Sequence, residues 1–429
     1  MNIKKFIPCI FLYKKHAVAA FEDKDTVISM NPVELSRFYR DNGADGLIVF
    51  DLSGDDDREH EEALDCIKAI CSGVDIPVTG AGHVKRMEDI KKLLYAGCSK
   101  AALNYSNPDN VALTQEVALR FGREKIAACV EDGKTISDQK ELLETYVCEL
   151  ILIRETILKA CVGCSSVPFI AMLPEMTLDK LLDTLNYIDL CGVTGRLVNK
   201  NAKEIMALKT LCADKGVSVD IPGMEVKWED FKKNSDGMVP VIVQDDQTEQ
   251  VLMVAYMNRE AYEATLKTGR MTYYSRSRQE LWLKGETSGH FQYVRSLTAD
   301  CDMDTILARV SQVGAACHTG KYSCFFNEIV RKKGKEENPL KIFQSVLEVI
   351  KDRKTHPKEG SYTNYLFDKG IDKILKKLGE EATEIVIAAK NPNPNEIKYE
   401  IADFLYHMMV LMVERGVTWE EITEELAQR

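Results

Sequence analysis

IPVTGAGHVKRMEDIKKLLYAGCSKAALN, residues 76–104, holds one full repeat of the pattern that sets the fold. A short β-branched run, Ile76–Val78, leads through a glycine-bearing turn into a helix-like amphipathic stretch, Arg86–Ala96, and a second run begins at Lys100–Leu103. The same alternation extends in both directions. Further runs occur at Lys5–Leu12, Gly46–Phe50, Lys125–Val130, Glu149–Ile153, Pro168–Leu173 and Tyr187–Val193, with helical stretches such as Pro32–Asp41 and Arg58–Cys71 between them. Eight strands separated by helices predict an α/β barrel of the (β/α)8 type over residues 1–222. At ~220 residues it is near the short end for this architecture, and the unit between the fifth and sixth strands is short, so an incomplete barrel also fits.

The character of the chain changes after IPG at 221–223. Strand-like runs at Val239–Val243, Val251–Tyr256, Met271–Ser275 and Phe291–Leu297, separated by polar turns, predict a small α+β domain over 223–330. RKKGKEENP, 331–339, is charged, carries Gly and Pro, and reads as a linker. Beyond it the apolar positions follow a helical period at Leu340–Arg353, Asn364–Lys390 and Glu396–Arg415, so 340–429 is expected to be all-α.

Composition bounds the function. The 429 residues carry 56 Lys and Arg against 67 Asp and Glu, a net charge of −11, which argues against non-specific nucleic-acid binding. With 45% apolar and 29% charged residues the chain has an ordinary soluble composition. No run approaches the ~18 apolar residues of a membrane span, and the apolar stretch in MNIKKFIPCIFLYKK is too short for a signal peptide. Thirteen cysteines, an odd number in a long chain, fit a reduced cytoplasmic compartment. Ten precede residue 213, mostly inside apolar runs where cysteine acts as a small hydrophobe. The Cys161/Cys164 pair has redox-like spacing but no partner pair nearby, so a structural role is expected.

The densest constellation is TADCDMDTILARVSQVGAACHTGKYSCFF. In an extended chain, alternation puts Asp300, Asp302 and Asp304 on one side and Cys301 on the other. Three hard oxygen donors in such proximity suit Mg²⁺, or else form a solvated acidic turn ahead of a helix. Cys301, Cys317 and Cys324 make a soft donor set, and three thiolates leave a fourth zinc position open for water, unless all three are structural cysteines. His318, next to Cys317, is a candidate base or water-orienting group. His290 and His318 also fit structural roles.

YYSRSRQELWLKGETSGHFQYV, with DCDMD and ACHTGKYSCFF after it, closely resembles phosphoribosyl-AMP cyclohydrolase over about residues 236–330. The resemblance implies hydrolysis of the N1–C6 bond of an adenine ring, Mg²⁺ at Asp300, Asp302 and Asp304, and Zn²⁺ at Cys301, Cys317 and Cys324. It also implies a homodimer that shares the zinc ligands across its interface. Arg276, Arg278, Trp282, Lys284, Glu286, Ser288 and His290 are expected to build the nucleotide pocket, the two arginines suiting phosphate.

In the tail, Glu381 and Glu384 are spaced i, i+3, as are Glu400 and Asp403, so each pair shares a helix face. NPNPN at 391–395 forces a turn. Glu384 lies seven residues before Asn391 and Glu400 five after Asn395, so at ~1.5 Å per residue their levels differ by about 3 Å. The four acids are expected to converge between antiparallel helices and to require Mg²⁺, beside an apolar seam of Ile385, Ala388, Ile401 and Leu405. The alternative is a solvated, salt-bridged face. This ExxE…ExxD pattern, extended by Lys377 and Glu380, resembles phosphoribosyl-ATP pyrophosphatase. The resemblance implies Mg²⁺-assisted attack of water on the α–β phosphoanhydride, with Glu381 and Glu384 in catalytic positions; His407 is expected to be structural.

KKFIPCIFLYKKHAV, YRDNGADGLIVFDLSG, IPVTGAGHVKRMEDIKKLLYAGCSKAALN and RFGREKIAACVED resemble the phosphoribosyl-substrate barrels of histidine biosynthesis, especially the cyclase subunit of imidazole glycerol phosphate synthase. Departures fall on the chemistry. The family's acid at the end of strand one aligns with Phe11, the acid after strand five with Glu131, and its glycine-rich phosphate turn becomes Ala81-Gly82-His83. Phenylalanine cannot transfer a proton, so a catalytically inactive barrel is expected, with Asp51 still able to bind a ligand. Together these resemblances imply a bifunctional hydrolase of histidine biosynthesis acting on small phosphoribosyl nucleotides, with neither nucleic acid nor membrane as partner. The rivals are a trifunctional enzyme with an active barrel and a general nucleotide pyrophosphatase with a structural zinc module.

Overall fold

In the computed structural model, which describes residues 3–54, 57–221, 226–330, 341–391 and 394–427, every apolar run of the N-terminal segment becomes a strand. The chain divides into two compact units, Met1–Asn327 and Glu328–Arg429. The expected boundary at 222–223 and the expected linker at 331–339 lie outside the described residues.

Pro8 splits the first strand into Lys5–Phe6 and Cys9–Tyr13, because proline has no N–H to give to a ladder. The break lets one segment serve both ends of the sheet. Lys5 and Phe6 pair in parallel with Gly192 and Val193 of the eighth strand, while Cys9–Leu12 pair with Ile48–Asp51 of the second. Leu47–Asp51, Val78–Ala81, Lys100–Asn104, Ile126–Val130, Glu149–Leu152, Phe169–Met172 and Leu190–Thr194 follow in order, all parallel, so the eight strands close into a barrel. A hairpin, His16–Val18 and Val27–Ser29, adds two antiparallel strands beside the first.

Strand alternation fills two layers. Ile7, Phe11, Ile48, Phe50, Ala102 and Ile151 point into the barrel, whereas Ile10, Leu12, Leu47, Val49, Leu103 and Leu152 face the helices. Each fully buried Leu or Ile contributes roughly 1.5–3 kcal/mol. The helices start where capping chemistry allows: the Asn31 side chain accepts from the amides of Val33 and Glu34 ahead of Pro32–Asp41, with proline in the first turn. The strands are complete but the outer layer is thin late in the barrel. Only Leu158–Cys161 is helical between the sixth and seventh strands, and two short helices, Gly133–Asp138 and Lys140–Tyr146, fill the preceding connection.

The 226–327 region builds a mixed four-stranded sheet in the order Val251–Met257, Val239–Asp245, Ile306–Gln312, Gln292–Ala299, with a separate hairpin, Thr272–Ser275 and Glu280–Leu283. Val239, Val241 and Val243 point inward with Ile306, Ala308 and Val310. Helix Arg259–Thr268, capped by the Asn258 side chain, covers the core. This region packs on the barrel through polar contacts: Arg270 with Glu204 at 2.9 Å, Arg295 with Asp75, and the Ser311 hydroxyl donating to Asp41 at 3.2 Å.

The Glu328–Arg429 unit is helical throughout its described core: Lys341–Thr355, Tyr362–Lys369, Ile371–Ala388, Pro394–Arg415 and Trp419–Ala427. The single helix expected over Asn364–Lys390 is divided at Gly370, whose φ of +75° ends one helix before the next begins. Leu347, Ile350, Leu366, Ile374, Met409, Val410 and Met412 form its core.

Candidate functional site

Asp300, Asp302 and Asp304 occupy a tight turn between the strands Gln292–Ala299 and Ile306–Gln312, not the extended run expected from alternation, and a strand rather than a helix follows. The turn closes on itself. Met303 takes φ +64°, and the amides of Asp304 and Thr305 donate to Asp300 Oδ1 at 3.0 and 3.1 Å. The three carboxylates each place an oxygen within 4.8 Å of the others, all exposed. Burial works against ionisation of Asp300, yet the amides of Thr305 and Asp304 hold its carboxyl below the usual range. Lys232 Nζ stands 3.8 Å from Asp302 and offsets part of the charge.

Cys317 and Cys324 lie beside one another, and the buried Lys284 amine faces both. The Thr319 hydroxyl, donating to Cys317 Sγ at 3.1 Å, holds that thiol below its ordinary value, with Cys324 and Lys284 acting the same way. Desolvation raises Cys324, and its neighbour Cys317 adds to this. Burial lowers Lys284 against the pull of the two sulfurs. Cys301 is exposed on the aspartate turn, and its sulfur is not gathered with the other two within one chain. His318 is exposed, its Nδ1 3.9 Å from Cys317 Sγ.

The expected pocket residues sit on the neighbouring hairpin and the loop after it. The Arg276 guanidinium lies 3.9 Å from the Tyr256 ring centre, and Arg278 pairs with Glu280 at 3.2 Å. Trp282 is half-buried, its ring 5.6 Å from that of Tyr273. Glu286 and Ser288 are exposed, and half-buried His290 receives the close approach of Gly314, where a Cβ would stand 2.6 Å from its ring.

In the helical unit, Glu381, Glu384 and Glu400 each bring an oxygen within 4.8 Å of the others, across the pair Ile371–Ala388 and Pro394–Arg415. Asp403 does not join this triad, although it stays in electrostatic reach of Glu381 and Glu400. Part of the NPNPN turn lies outside the described residues. Glu381 is buried, and burial, with Glu384 and Asp403 nearby, raises its carboxyl despite His407 at 3.7 Å and Lys377 at 3.8 Å. Glu400 is raised by desolvation and by Glu384. His407 Nδ1 lies 2.8 Å from the Asp403 carbonyl and its Nε2 3.1 Å from the Tyr362 hydroxyl, so both ring nitrogens are engaged. Ile401, expected in an apolar seam, is 41% exposed, and Val386 and Ile387 on the helix Ile371–Ala388 are 62% and 61% exposed.

These regions coincide with known families. The model described as Phosphoribosyl-AMP cyclohydrolase matches residues 253–326, Phosphoribosyl-ATP pyrophosphohydrolase matches 343–429, and Histidine biosynthesis protein matches 5–152. The Histidine biosynthesis bifunctional protein HisIE of Thermoanaerobacter pseudethanolicus is 53% identical over 215 residues, covering 47% of this chain and 100% of the relative. The HisIE proteins of Bacillus subtilis and Thermus thermophilus are each 47% identical, over 201 and 193 residues, with 95% and 89% of their lengths covered. The chain belongs to the HisIE family. It carries a cyclohydrolase domain and a pyrophosphohydrolase domain of histidine biosynthesis, and a front end related to the histidine-biosynthesis barrels.

At the barrel mouth, Phe11 is buried against Phe50 and Phe21, with ring centres 5.4 and 4.7 Å away. Glu131 is tied to Arg154 by an ion pair, Nε at 2.8 Å. Sequence reasoning passed over Thr319, which tunes Cys317, and Tyr256, which supports Arg276. It also missed His60, which meets Asp51. Thr319 stands two residues from a singled-out cysteine and was legible; the Tyr256 and His60 contacts span 20 and 9 positions and needed the fold.

Proposed function

We propose that this HisIE-family chain performs two successive hydrolyses with separate metal sets, and that its barrel is catalytically inactive. The Glu328–Arg429 unit converts phosphoribosyl-ATP to phosphoribosyl-AMP and pyrophosphate. The 223–330 domain then opens the adenine ring at N1–C6. The observation that carries this reading is that the two candidate centres stand in different units: the thiol pair Cys317 and Cys324, near the acids Asp300, Asp302 and Asp304 in sequence, in one, and the carboxylates Glu381, Glu384 and Glu400 in the other.

Paired carboxylates suit Mg²⁺, which would neutralise the phosphates and stabilise the leaving pyrophosphate. Glu381 and Glu384 would position the attacking water, with Glu400 beside them and Asp403 within electrostatic reach. In the cyclohydrolase domain Cys317, Cys324 and Cys301 suit Zn²⁺, which would lower the pKa of a bound water toward neutrality. His318 would take or return a proton, a role supported by its Nδ1 lying 3.9 Å from Cys317 Sγ. Arg276 and Arg278 would hold phosphate, and Trp282, Lys284, Glu286, Ser288 and His290 would line the base and ribose, with Mg²⁺ at Asp300, Asp302 and Asp304.

A homodimer sharing its zinc ligands accounts for Cys301 standing on a different turn from Cys317 and Cys324. A row of exposed apolar residues, Val254, Ile242 and Leu307, runs in register across three strands of the same domain and supports self-association. The inactive barrel is supported by Phe11 in the aromatic cluster and by Glu131 held by Arg154. A cytoplasmic enzyme is supported by the relation to histidine-biosynthesis proteins; among the described residues no helix is long and apolar enough to cross a membrane.

The test is turnover of phosphoribosyl-ATP by the full chain after zinc chelation in excess Mg²⁺. Pyrophosphate release should persist while ring opening stops; joint loss, or ring opening that survives, would refute the division. Added ammonia with the cyclase substrate should give no cyclised product.

A further inference from the structure

We propose that His60 and His83, with Asp51 orienting His60, form a further metal site, for zinc or another first-row divalent cation, at the mouth of the barrel. Asp51 ends the second strand and His83 follows the third, so both stand at the strand C-termini, and His60 reaches them from the helix Asp57–Gly73. Each residue brings a ligand atom within 4.8 Å of the other two. The site is independent of the two hydrolytic centres.

The hydrogen-bond inventory points to a cation. Asp51 Oδ1 accepts from the Ser53 amide at 2.8 Å and the Ser53 hydroxyl at 2.6 Å, while Oδ2 stands 2.7 Å from His60 Nδ1. A carboxylate so placed accepts a hydrogen bond from Nδ1–H, which keeps the proton on Nδ1 and leaves the lone pair of His60 on Nε2. That Nε2 is sealed from solvent and has no hydrogen-bond partner among the described residues, on a residue only 5% exposed. A buried imidazole lone pair without a donor is costly, and a carboxylate on the opposite ring nitrogen is the usual support of a metal-bound histidine.

The second imidazole is held at a conformational cost. His83 adopts φ +48°, in the left-handed region where a side chain is disfavoured, and stacks on His60 with ring centres 3.9 Å apart and planes 19° apart. Its Nδ1 lies 3.5 Å from Ser53 Oγ. In this stack the lone pairs run side by side, so loading requires one ring to turn, and half-buried His83 is the one with solvent beside it. Two imidazole nitrogens favour zinc, nickel or cobalt over magnesium or calcium, and such a pair leaves positions for solvent or an exogenous anion.

The test uses the metal-free full chain with Cys301, Cys317 and Cys324 replaced by serine, titrated with Co²⁺ in excess Mg²⁺ so that the carboxylate clusters are occupied. It should bind about one Co²⁺ per chain with ligand-field bands and no thiolate charge transfer. His60→Asn should weaken that binding by about 10–100-fold or more. His83→Gly should do the same, and because glycine accepts the backbone conformation at 83 it remains decisive should His60→Asn fail to fold. Unchanged Co²⁺ stoichiometry in folded His83→Gly, or binding of inorganic phosphate in place of the cation at these residues, would overturn the proposal.

Discussion

Cys317 and Glu384 each stand for one reaction, and single substitutions separate them. Cys317→Ala removes the thiol that Thr319 and Lys284 hold toward its thiolate form. Ring opening should be abolished with pyrophosphate release retained, measured as accumulation of phosphoribosyl-AMP. Glu384→Gln keeps the shape of its helix face but removes a charge from the triad. Pyrophosphate release should fall by on the order of 10²-fold or more, while ring opening of supplied phosphoribosyl-AMP continues. The opposite pairing of losses would mean that the roles are misassigned. Asp403 shows the limit of spacing arguments: i, i+3 placement set it on the right face, but the packing of the two helices left it outside the triad.

The helix Ile205–Asp214 is joined to the barrel through a nearly sealed ion pair. Lys209 Nζ meets Asp45 Oδ1 at 2.5 Å and the Gly43 carbonyl at 3.1 Å, while the Phe6 amide donates to Asp45 Oδ2 at 2.7 Å. Lys209→Met would leave Asp45 buried without its cation and should cost about 3–5 kcal/mol, read by urea unfolding with far-UV circular dichroism. Burial already raises the Asp45 carboxyl above its ordinary 3.8, and nearby Asp220 adds to this, against Lys209. A carboxyl raised in the folded state takes up a proton there before the unfolded chain does, so stability is gained as pH falls toward the raised value. Loss of Lys209 removes the opposing charge and raises Asp45 further. The deficit of the variant should therefore be smaller near about pH 5 than near about pH 8; a deficit that grows on acidification would reverse the sign of this argument.

At the scale of the whole molecule, relatives are matched over 100% and 95% of their own lengths by only 47% of this chain, about the share that follows the barrel. A chain beginning at residue 226 should therefore keep both hydrolytic activities. It should be less stable than the full chain, because Arg270, Arg295 and Ser311 lose Glu204, Asp75 and Asp41. Activity assays beside thermal melts of the two chains check both statements. Loss of both activities in a folded truncated chain would give the barrel a direct part in catalysis.

Periodicity alone determined the eight barrel strands and the helical character of the tail, because burial on one or both faces imposes a repeat that reads directly from neighbouring residues. Local chemistry likewise marked the carboxylate pairs and the cysteines of the cyclohydrolase domain. The strands Glu280–Leu283 and Ile306–Gln312 were passed over: the first carries no buried residue to mark it, and the second takes its place from a parallel pairing with Val239–Asp245, far back in the chain. Nor was the Asp300–Asp304 turn, where amide donation to one carboxylate outweighs strand alternation. The tertiary structure alone brought His60 to Asp51 and stacked it on His83, because a helix and two strand ends meet only when the barrel closes.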